Sequence, residues 1–227
     1  MSYTKEIVCL ANSRKFQAHC VAGKEVREGK FGGWVRPVGS ASGGELPTTD
    51  ICYQNEQIPA PLDVIRVSIK RRVPHKYQTE NHLIDTDACW EHVGRIDVSK
   101  LAAMSDKVAK LWIDGFNSAN GINDRIPLEK AGKISSSLLL IKPTSLTIHK
   151  EYEFASKSWK IRADFRFMRT RYCLVVTDPR IEDQYHKKKA GDYPVENSDA
   201  YLTVSLGEPY KGFCYKLVAA IMLVPRK

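Results

Sequence analysis

Cationic and aromatic side chains are concentrated near the start of the chain, between Ile7 and Val38. An apolar run leads into Asn12-Ser-Arg-Lys15, and the basic segment that follows is predicted to be a loop. Gly32-Gly33 then leads into Trp34-Val-Arg-Pro37, which is predicted to be a strand. Guanidinium, ammonium and indole groups bind flat anions such as a nucleotide or a nucleic acid. The first candidate binding residues are Arg14, Lys15, Lys24, Trp34 and Arg36.

Trp34 and Arg36 are two residues apart on the predicted strand, so alternation places both side chains on the face opposite Val35. Two interpretations follow. Either both side chains line a binding site, or Trp34 covers the core while the aliphatic part of Arg36 carries its charge to solvent. The sequence leaves this choice open.

Two later segments alternate between apolar and cationic residues and are predicted to be strands with one charged face. Such ladders, with aromatic residues nearby, are typical of surfaces that hold single-stranded nucleic acid. The alternative is an ordinary solvent-facing side of a barrel, with Asp164 pairing to the arginines that flank it. The ladder residues are Arg66, Lys70 and Arg72 in the first segment, and Lys160, Arg162 and Arg166 in the second.

The positive charge is gathered into three segments, although the whole chain of 227 residues carries only +9. Residues 14–36 contain six basic and two acidic residues, residues 66–76 contain five and none, and residues 157–171 contain six and one. Together these segments carry +14, which leaves −5 on the rest of the +9 chain. Basic patches on an acidic body favour a polyanionic partner, although three separate solvated faces would give the same count.

Motifs for catalysis or metal binding are incomplete. Cys89-Trp-Glu-His92, with His82 upstream, has ligand-like spacing but lacks the further pair that a four-ligand zinc site needs. Glu28-Gly-Lys30 has the spacing of a nuclease carboxylate–lysine pair without the accompanying strand-borne Asp. The acids after Thr177 are predicted to be a helix cap at Asp178, with Pro179 at the first helical position. No catalytic residue, metal or cofactor is therefore predicted.

The six cysteines have no regular spacing, and several lie in apolar, strand-like runs. No signal peptide is recognised, and no apolar run approaches the roughly 20 residues of a membrane helix. These features predict a cytoplasmic protein with reduced thiols and no membrane association.

Short β-strands dominate the predicted secondary structure, and the strand–helix alternation of a parallel sheet is missing. With 43% hydrophobic residues the chain can bury two small cores. The predicted fold is mainly β: two small OB-like antiparallel barrels in tandem, with one or two short helices inserted. The first domain would span residues 1–131, with a helical insertion at about 97–113, and the second would span residues 132–227.

Three stretches carry a resemblance to a known family: Cys9–Lys15 with Cys20–Glu25; Gly33–Pro37; and Thr177–Pro179 with Ser205–Pro209 and Tyr215–Leu217. The chain resembles the dual OB-containing domain family of small, mostly prokaryotic proteins. The resemblance covers nearly the whole chain and is weakest over residues 75–135. It implies two OB-like barrels, a nucleic-acid or nucleotide-binding role, and an association with defence or mobile-element gene neighbourhoods.

Three hypotheses of function follow. The leading one is a module that binds nucleic acid or a nucleotide through backbone contacts and stacking, with single-stranded nucleic acid as the expected ligand. The second is an enzyme that acts on a nucleotide or RNA at the N-terminal site, with Lys24 or Cys20 as the reactive group. The third is an interaction scaffold whose basic patches contact an acidic protein partner.

Overall fold

The computed structural model describes residues 2–15, 17–154 and 156–226, and at Lys15 it describes the backbone alone. The chain forms two compact units. Unit 1 comprises residues 1–104 and 135–137, and unit 2 comprises residues 105–134 and 138–227. Residues 105–131, assigned from the sequence to the first domain, thus group with unit 2. The division into functional domains stays a prediction.

Unit 1 contains six strands: β1 Tyr3–Lys15, β2 Ala18–Arg27, β3 Lys30–Val38, β4 Asp63–Arg72, β5 Asn81–Ile84 and β6 Glu91–Arg95. Five of them close into a barrel in the order β1-β2-β3-β5-β4, because β4 pairs back with β1. Neighbouring strands in this barrel are antiparallel except β3 and β5, which are parallel. β6 pairs with β4 beside the barrel. A closed five-stranded barrel of this kind is the OB-fold.

Alternation along β4 places one face in the core of unit 1. Ile65, Val67 and Ile69 are fully buried and belong to one apolar cluster, whereas Arg66 lies between them on the outer face. The predicted strand is therefore confirmed. Burial of these branched side chains is the main source of stability in so small a barrel.

The segment predicted to be a basic loop after Asn12 is instead the hairpin of β1 and β2, so that prediction is wrong. The alternation that would reveal β2 is masked because Val21, Ala22, Gly23 and Lys24 are all buried. Gly23 is needed for close strand packing, since a Cβ there would lie 2.1 Å from the Val8 carbonyl oxygen.

Unit 2 contains eight strands: β7 Arg125–Pro127, β8 Leu138–Ile141, β9 Ser145–Glu153, β10 Ser158–Phe167, β11 Thr170–Val176, β12 Gly191–Pro194, β13 Ser198–Tyr210 and β14 Phe213–Pro225. Their order is β12-β9-β10-β11-β14-β13-β8, and β7 pairs with β14. β8 and β9 are separated by three residues and together serve as the first barrel strand. Among the described residues of unit 2 the one parallel strand pair is β11 with β14, which corresponds to β3 with β5 in unit 1. The predicted fold class, mainly β with OB-like barrels, is confirmed.

The helices are short: α1 Thr48–Ile51, a 3-10 turn Val98–Lys100 that leads into α2 Leu101–Met104, α3 Leu128–Ala131 and α4 Pro179–His186. The predicted cap of α4 is confirmed, because the Asp178 carboxylate accepts a hydrogen bond from the Arg180 amide. No helix in the described ranges is long and apolar enough to cross a membrane.

The helix predicted at about 97–113 ends at Met104, so its length is wrong. After Met104, individual tertiary hydrogen bonds position the chain, and these replace the regular backbone hydrogen bonds of a helix. The Leu111 amide donates to the Tyr172 hydroxyl, and the Ile113 carbonyl accepts from the Lys216 ammonium. Trp112 has φ +57°, outside the helical range. Tertiary contacts override the helical spacing of the apolar residues here.

Candidate nucleic-acid interface

Lys24 and Trp34 are directly opposite each other on β2 and β3, on the outer face of the unit 1 barrel. Val35 belongs to the apolar cluster, and Trp34 does not. The Lys24 ammonium lies 5.4 Å from the centre of the Trp34 ring, a cation–π contact, and Lys24 is only 8% exposed. Trp34 is half-buried and lies on the outer face, outside the apolar cluster, and its contact with a ligand stays a prediction.

Arg36 is in an internal ion pair. Its guanidinium lies 3.5 Å from the Glu80 carboxylate, and its amide donates to the Glu80 carbonyl. The Glu80 side chain is 3% exposed and also accepts a hydrogen bond from the Ser137 hydroxyl. The charge of Arg36 is therefore largely compensated inside unit 1.

Arg14 and Lys24 do not converge on one surface. Arg14 is exposed at the far end of β1, opposite His19, which precedes Lys24 on β2 by five residues. At about 3.3 Å per residue this separation is about 17 Å, and an odd spacing places the two side chains on opposite faces of the ribbon. The side chain of Lys15 lies outside the described residues.

The first cationic ladder is mostly neutralised. Arg66 bonds the Glu6 carboxylate at 2.7 Å and also pairs with Glu91. Lys70 lies 3.4 Å from Asp85. Arg72 donates to the Thr79 carbonyl, at 2.8 Å from Nη2 and 3.2 Å from Nε. In the described part of the chain it is the one ladder member on β4 without a carboxylate partner.

The second cationic ladder, on β10, also contains members with and without a carboxylate partner. Arg162 is 4% exposed and bonds Glu151 at 2.6 Å and Glu153 at 2.7 Å. Asp164, expected to pair with its flanking arginines, binds Arg171 at 2.5 Å instead. Within the described ranges, Lys160 and Arg166 form no ion pair with a carboxylate. Arg162 is thus structural, and the other two remain available to a ligand.

An exposed aromatic group, which we call the β9–β10 aromatic surface, lies where these two strands meet. It consists of Tyr152, Phe154 and Trp159, which are 41%, 84% and 46% exposed. The Tyr152 ring packs edge-on against Phe154 at 5.2 Å and against Trp159 at 5.4 Å between ring centres. The register pairs Tyr152 directly with Trp159. Three large rings are held in fixed relative positions while each leaves much of its area in water.

A buried lysine supports this surface from the barrel side. Lys150 is 7% exposed, and its ammonium donates to the carbonyls of His186 and Lys188 at the end of α4. The same ammonium lies 5.0 Å from the centre of the Trp159 ring. The hydrogen bonds and the cation–π contact together restrict how the indole can turn.

The carboxylates nearest to this surface are already engaged. Glu151 and Glu153 both bind Arg162, and the pKa of Glu153 is lowered by its hydrogen bond from Ser156 and by the Arg162 charge. Lys157 and Lys160, by contrast, have no carboxylate partner among the described residues. The local field on a ligand is therefore positive.

The sequence contained a signal for this surface. Tyr152 and Phe154 alternate at the end of one strand, and Trp159 opens the next after a short turn. Alternation places the first two rings on one face, and hairpin pairing brings the third beside them. The sequence prediction noted aromatic residues near the ladders in general and did not identify this group of three rings.

A family model described as the dual OB-containing domain matches residues 5–221. The chain belongs to this family. No curated protein and no solved structure matches it. Membership in the dual OB-containing domain family accounts for the two barrels, and its description states a fold and names no ligand.

The chemistry that these surfaces support is stacking and anion attraction. No group of three or more His, Cys, Asp or Glu side chains suited to a metal occurs within the described ranges. Burial, the largest cause, raises the pKa of the Cys173 thiol to about 11, which keeps it protonated at neutral pH. Burial and the Arg14 charge lower the pKa of His19, whose ring bonds the Asn12 side chain at 2.8 Å.

Proposed function

We propose that this member of the dual OB-containing domain family binds single-stranded nucleic acid, with unpaired bases stacking on the β9–β10 aromatic surface. The observation that carries the proposal is the exposure of Tyr152, Phe154 and Trp159 together with their fixed edge-to-face packing. A base that stacks on an aromatic side chain contributes about 1–3 kcal/mol. Because the rings are already ordered, binding loses little side-chain entropy.

Charge favours a nucleic acid over an uncharged apolar ligand. The Lys150 ammonium contacts the Trp159 ring, Lys157 lies in the turn that joins the two strands, and Arg162 pairs with both Glu151 and Glu153. Phosphates that follow the stacked bases would meet a net positive charge, because Lys150, Lys157, Lys160 and Arg162 outnumber Glu151 and Glu153. Each such contact releases counterions, so the affinity should fall as salt rises.

Unit 1 would supply contacts of its own. Lys24 and Trp34 form a preassembled cation–aromatic pair on the outer face of that barrel, and Arg14 and Arg72 carry charge without a carboxylate partner among the described side chains. Arg36, Arg66, Lys70 and Arg162 have carboxylate partners, so we assign them to the fold. We retain Lys15, Lys160 and Arg166 as proposed phosphate contacts. A cytoplasmic location and a role in prokaryotic defence belong to the same proposal.

The test is fluorescence anisotropy with a labelled single strand of about 12 nucleotides, within the 4–16 nucleotides that one OB-fold covers. Wild-type affinity should fall steeply between 50 and 200 mM salt. Trp159→Ala and Phe154→Ala should each weaken binding about tenfold, the loss of one stacked base. Leu223→Ala is the matched control, because Leu223 is 43% exposed on β14 and lies outside the aromatic surface.

An abasic strand of the same length separates stacking from charge. It should bind wild-type protein more weakly than the intact strand binds Trp159→Ala, because it loses every stacked base and not one alone. Equal affinity for abasic and intact strands would remove stacking from the proposal, and no binding of either strand at 50 mM salt would refute it altogether.

A further inference from the structure

A second exposed aromatic and cationic group lies at the turn between β13 and β14. Tyr210 is 60% exposed, and the Lys211 ammonium lies 5.2 Å from the centre of its ring. The Tyr215 ring is 6.4 Å away. Lys211 and Gly212 form a two-residue turn with φ of +49° and +80°, which fixes Tyr210 opposite Phe213.

Arg125 extends this group onto the neighbouring strand β7. Its register partner is Tyr215, and its guanidinium carbon lies 4.0 Å from the centre of the Phe213 ring. A guanidinium stacked on an aromatic face is held flat, with its donors directed around the ring edge. Among the described residues no carboxylate pairs with Arg125 or Lys211. The group contains two cations, Arg125 and Lys211, and no acidic residue, so its net charge is positive. The nearest acidic residue along β13 is Glu208.

We propose that Arg125, Tyr210, Lys211, Phe213 and Tyr215 form a second site for a nucleotide unit, which we call the β13–β14 site. The base would stack on the exposed face of Tyr210, and the phosphate would take the unused guanidinium and ammonium donors. An aromatic face with two unpaired cations matches a ligand that joins a planar ring to a phosphate. A free nucleotide and a nucleotide within a strand share this chemistry.

The β13–β14 site is separate from the β9–β10 aromatic surface. Val175 is paired with Leu217 in the parallel strands, which places Phe213 level with Arg171, and Arg171 is paired with Arg166. Trp159 precedes Arg166 on β10 by seven residues, or about 23 Å along the strands. One mononucleotide cannot reach both, since a stacked strand advances only about 3.4 Å per nucleotide. The inference therefore does not depend on the proposed function of the aromatic surface.

The experiment removes the first surface to isolate the second. In a Trp159→Ala, Phe154→Ala background, binding of a labelled tetranucleotide is compared with and without Tyr210→Ala and Lys211→Ala. Adding Tyr210→Ala and Lys211→Ala should weaken the affinity that remains in this background about tenfold, as expected for the loss of one stacked base and one phosphate contact. Tyr3→Ala is the matched control, because Tyr3 is 41% exposed in unit 1. Thermal melting shows that each variant is folded.

Photocrosslinking gives an independent readout on the wild-type protein. Tetranucleotides and free nucleotides that carry 4-thiouracil should form adducts at residues 210–215, located by mass spectrometry. Adducts with the tetranucleotide alone would show that the site binds a nucleotide within a strand. Adducts with both ligands would show that it also binds a free nucleotide. Absence of adducts at 210–215, or a residual affinity in the Trp159→Ala, Phe154→Ala background changed less than twofold by Tyr210→Ala with Lys211→Ala, would overturn the inference. Adducts confined to residues 210–215 would support it and refute the aromatic surface.

Discussion

Lys216 is a fully buried lysine, and its titration gives a sharp test of the unit 2 structure. Its ammonium donates to the Ile113 carbonyl at 2.7 Å and to the Asp114 carboxylate at 3.2 Å, and it lies 5.3 Å from the centre of the Tyr172 ring. The side chain is 0% exposed. Burial lowers the pKa of Lys216 to about 8, although the Asp114 charge acts in the opposite direction.

The pKa difference fixes both the sign and the size of a pH effect on stability. In the unfolded chain Lys216 titrates at its ordinary value of 10.5. Between pH 8 and 10.5 the unfolded chain therefore binds more protons at this residue than the folded protein does, so rising pH stabilises the fold. The full shift corresponds to about 3 kcal/mol, and most of it is gained between pH 7 and pH 10.

Lys216→Met removes this titration and keeps a long apolar side chain. At pH 7 two effects oppose each other, since the variant no longer buries a charge but also loses two hydrogen bonds. The informative quantity is therefore the change in free energy of unfolding from pH 7 to pH 10, measured by urea denaturation. Wild-type protein should gain about 2–3 kcal/mol relative to Lys216→Met, because the other titrating groups largely cancel in the comparison.

Lys211→Met is the control for this measurement, because Lys211 is exposed on the same strand pair and should leave the wild-type pH dependence intact. Equal pH dependence in wild type and Lys216→Met would refute the assignment of Lys216 as a buried, partly neutral amine.

Three further substitutions test which polar groups maintain the fold and which face a ligand. Arg162→Met should destabilise by about 1.5–3 kcal/mol in urea denaturation, because the partly exposed Glu151 and Glu153 lose their charged hydrogen bonds, whereas Lys160→Met should change stability by less than about 0.5 kcal/mol. Gly23→Ala should abolish folding of unit 1 by circular dichroism, while Gly33→Ala, where a Cβ meets nothing within 4 Å, should fold. Arg66→Ala should leave the anisotropy-measured affinity within twofold of wild type, and a tenfold loss would show that its ion pairs open to a ligand.

Local patterns predicted the strands well. Alternation identified β4 and β10, and the Asp178-Pro179 pair identified the start of α4, because these signals depend on neighbours within a few residues. The β1–β2 hairpin was missed since a buried lysine and glycine remove the alternation of β2. A strand with both faces partly covered does not show a period of two.

The ion partners of the ladder residues were beyond the reach of sequence reasoning. Glu6 and Arg66 are 60 residues apart, yet they are direct partners across β1 and β4. Arg36 and Glu80 meet only because β3 and β5 pair in parallel. Counting cations along one strand cannot reveal carboxylates supplied by the next strand.

The pairing of strand-face cations with carboxylates on neighbouring strands explains why the better candidate contacts lie at strand ends. A cation in the middle of a barrel strand has a neighbour on each side, and in β4 both neighbours of Arg66 are glutamates, Glu6 and Glu91. A residue at a hairpin turn lacks one or both neighbours, so its charge or ring remains available. Phe154 and Tyr210, the two most exposed aromatic residues among those described, both lie at such turns. In this chain carboxylates on adjacent strands pair with Arg66 and Arg162, and the two most exposed aromatic rings lie at turns, where we propose that a ligand binds.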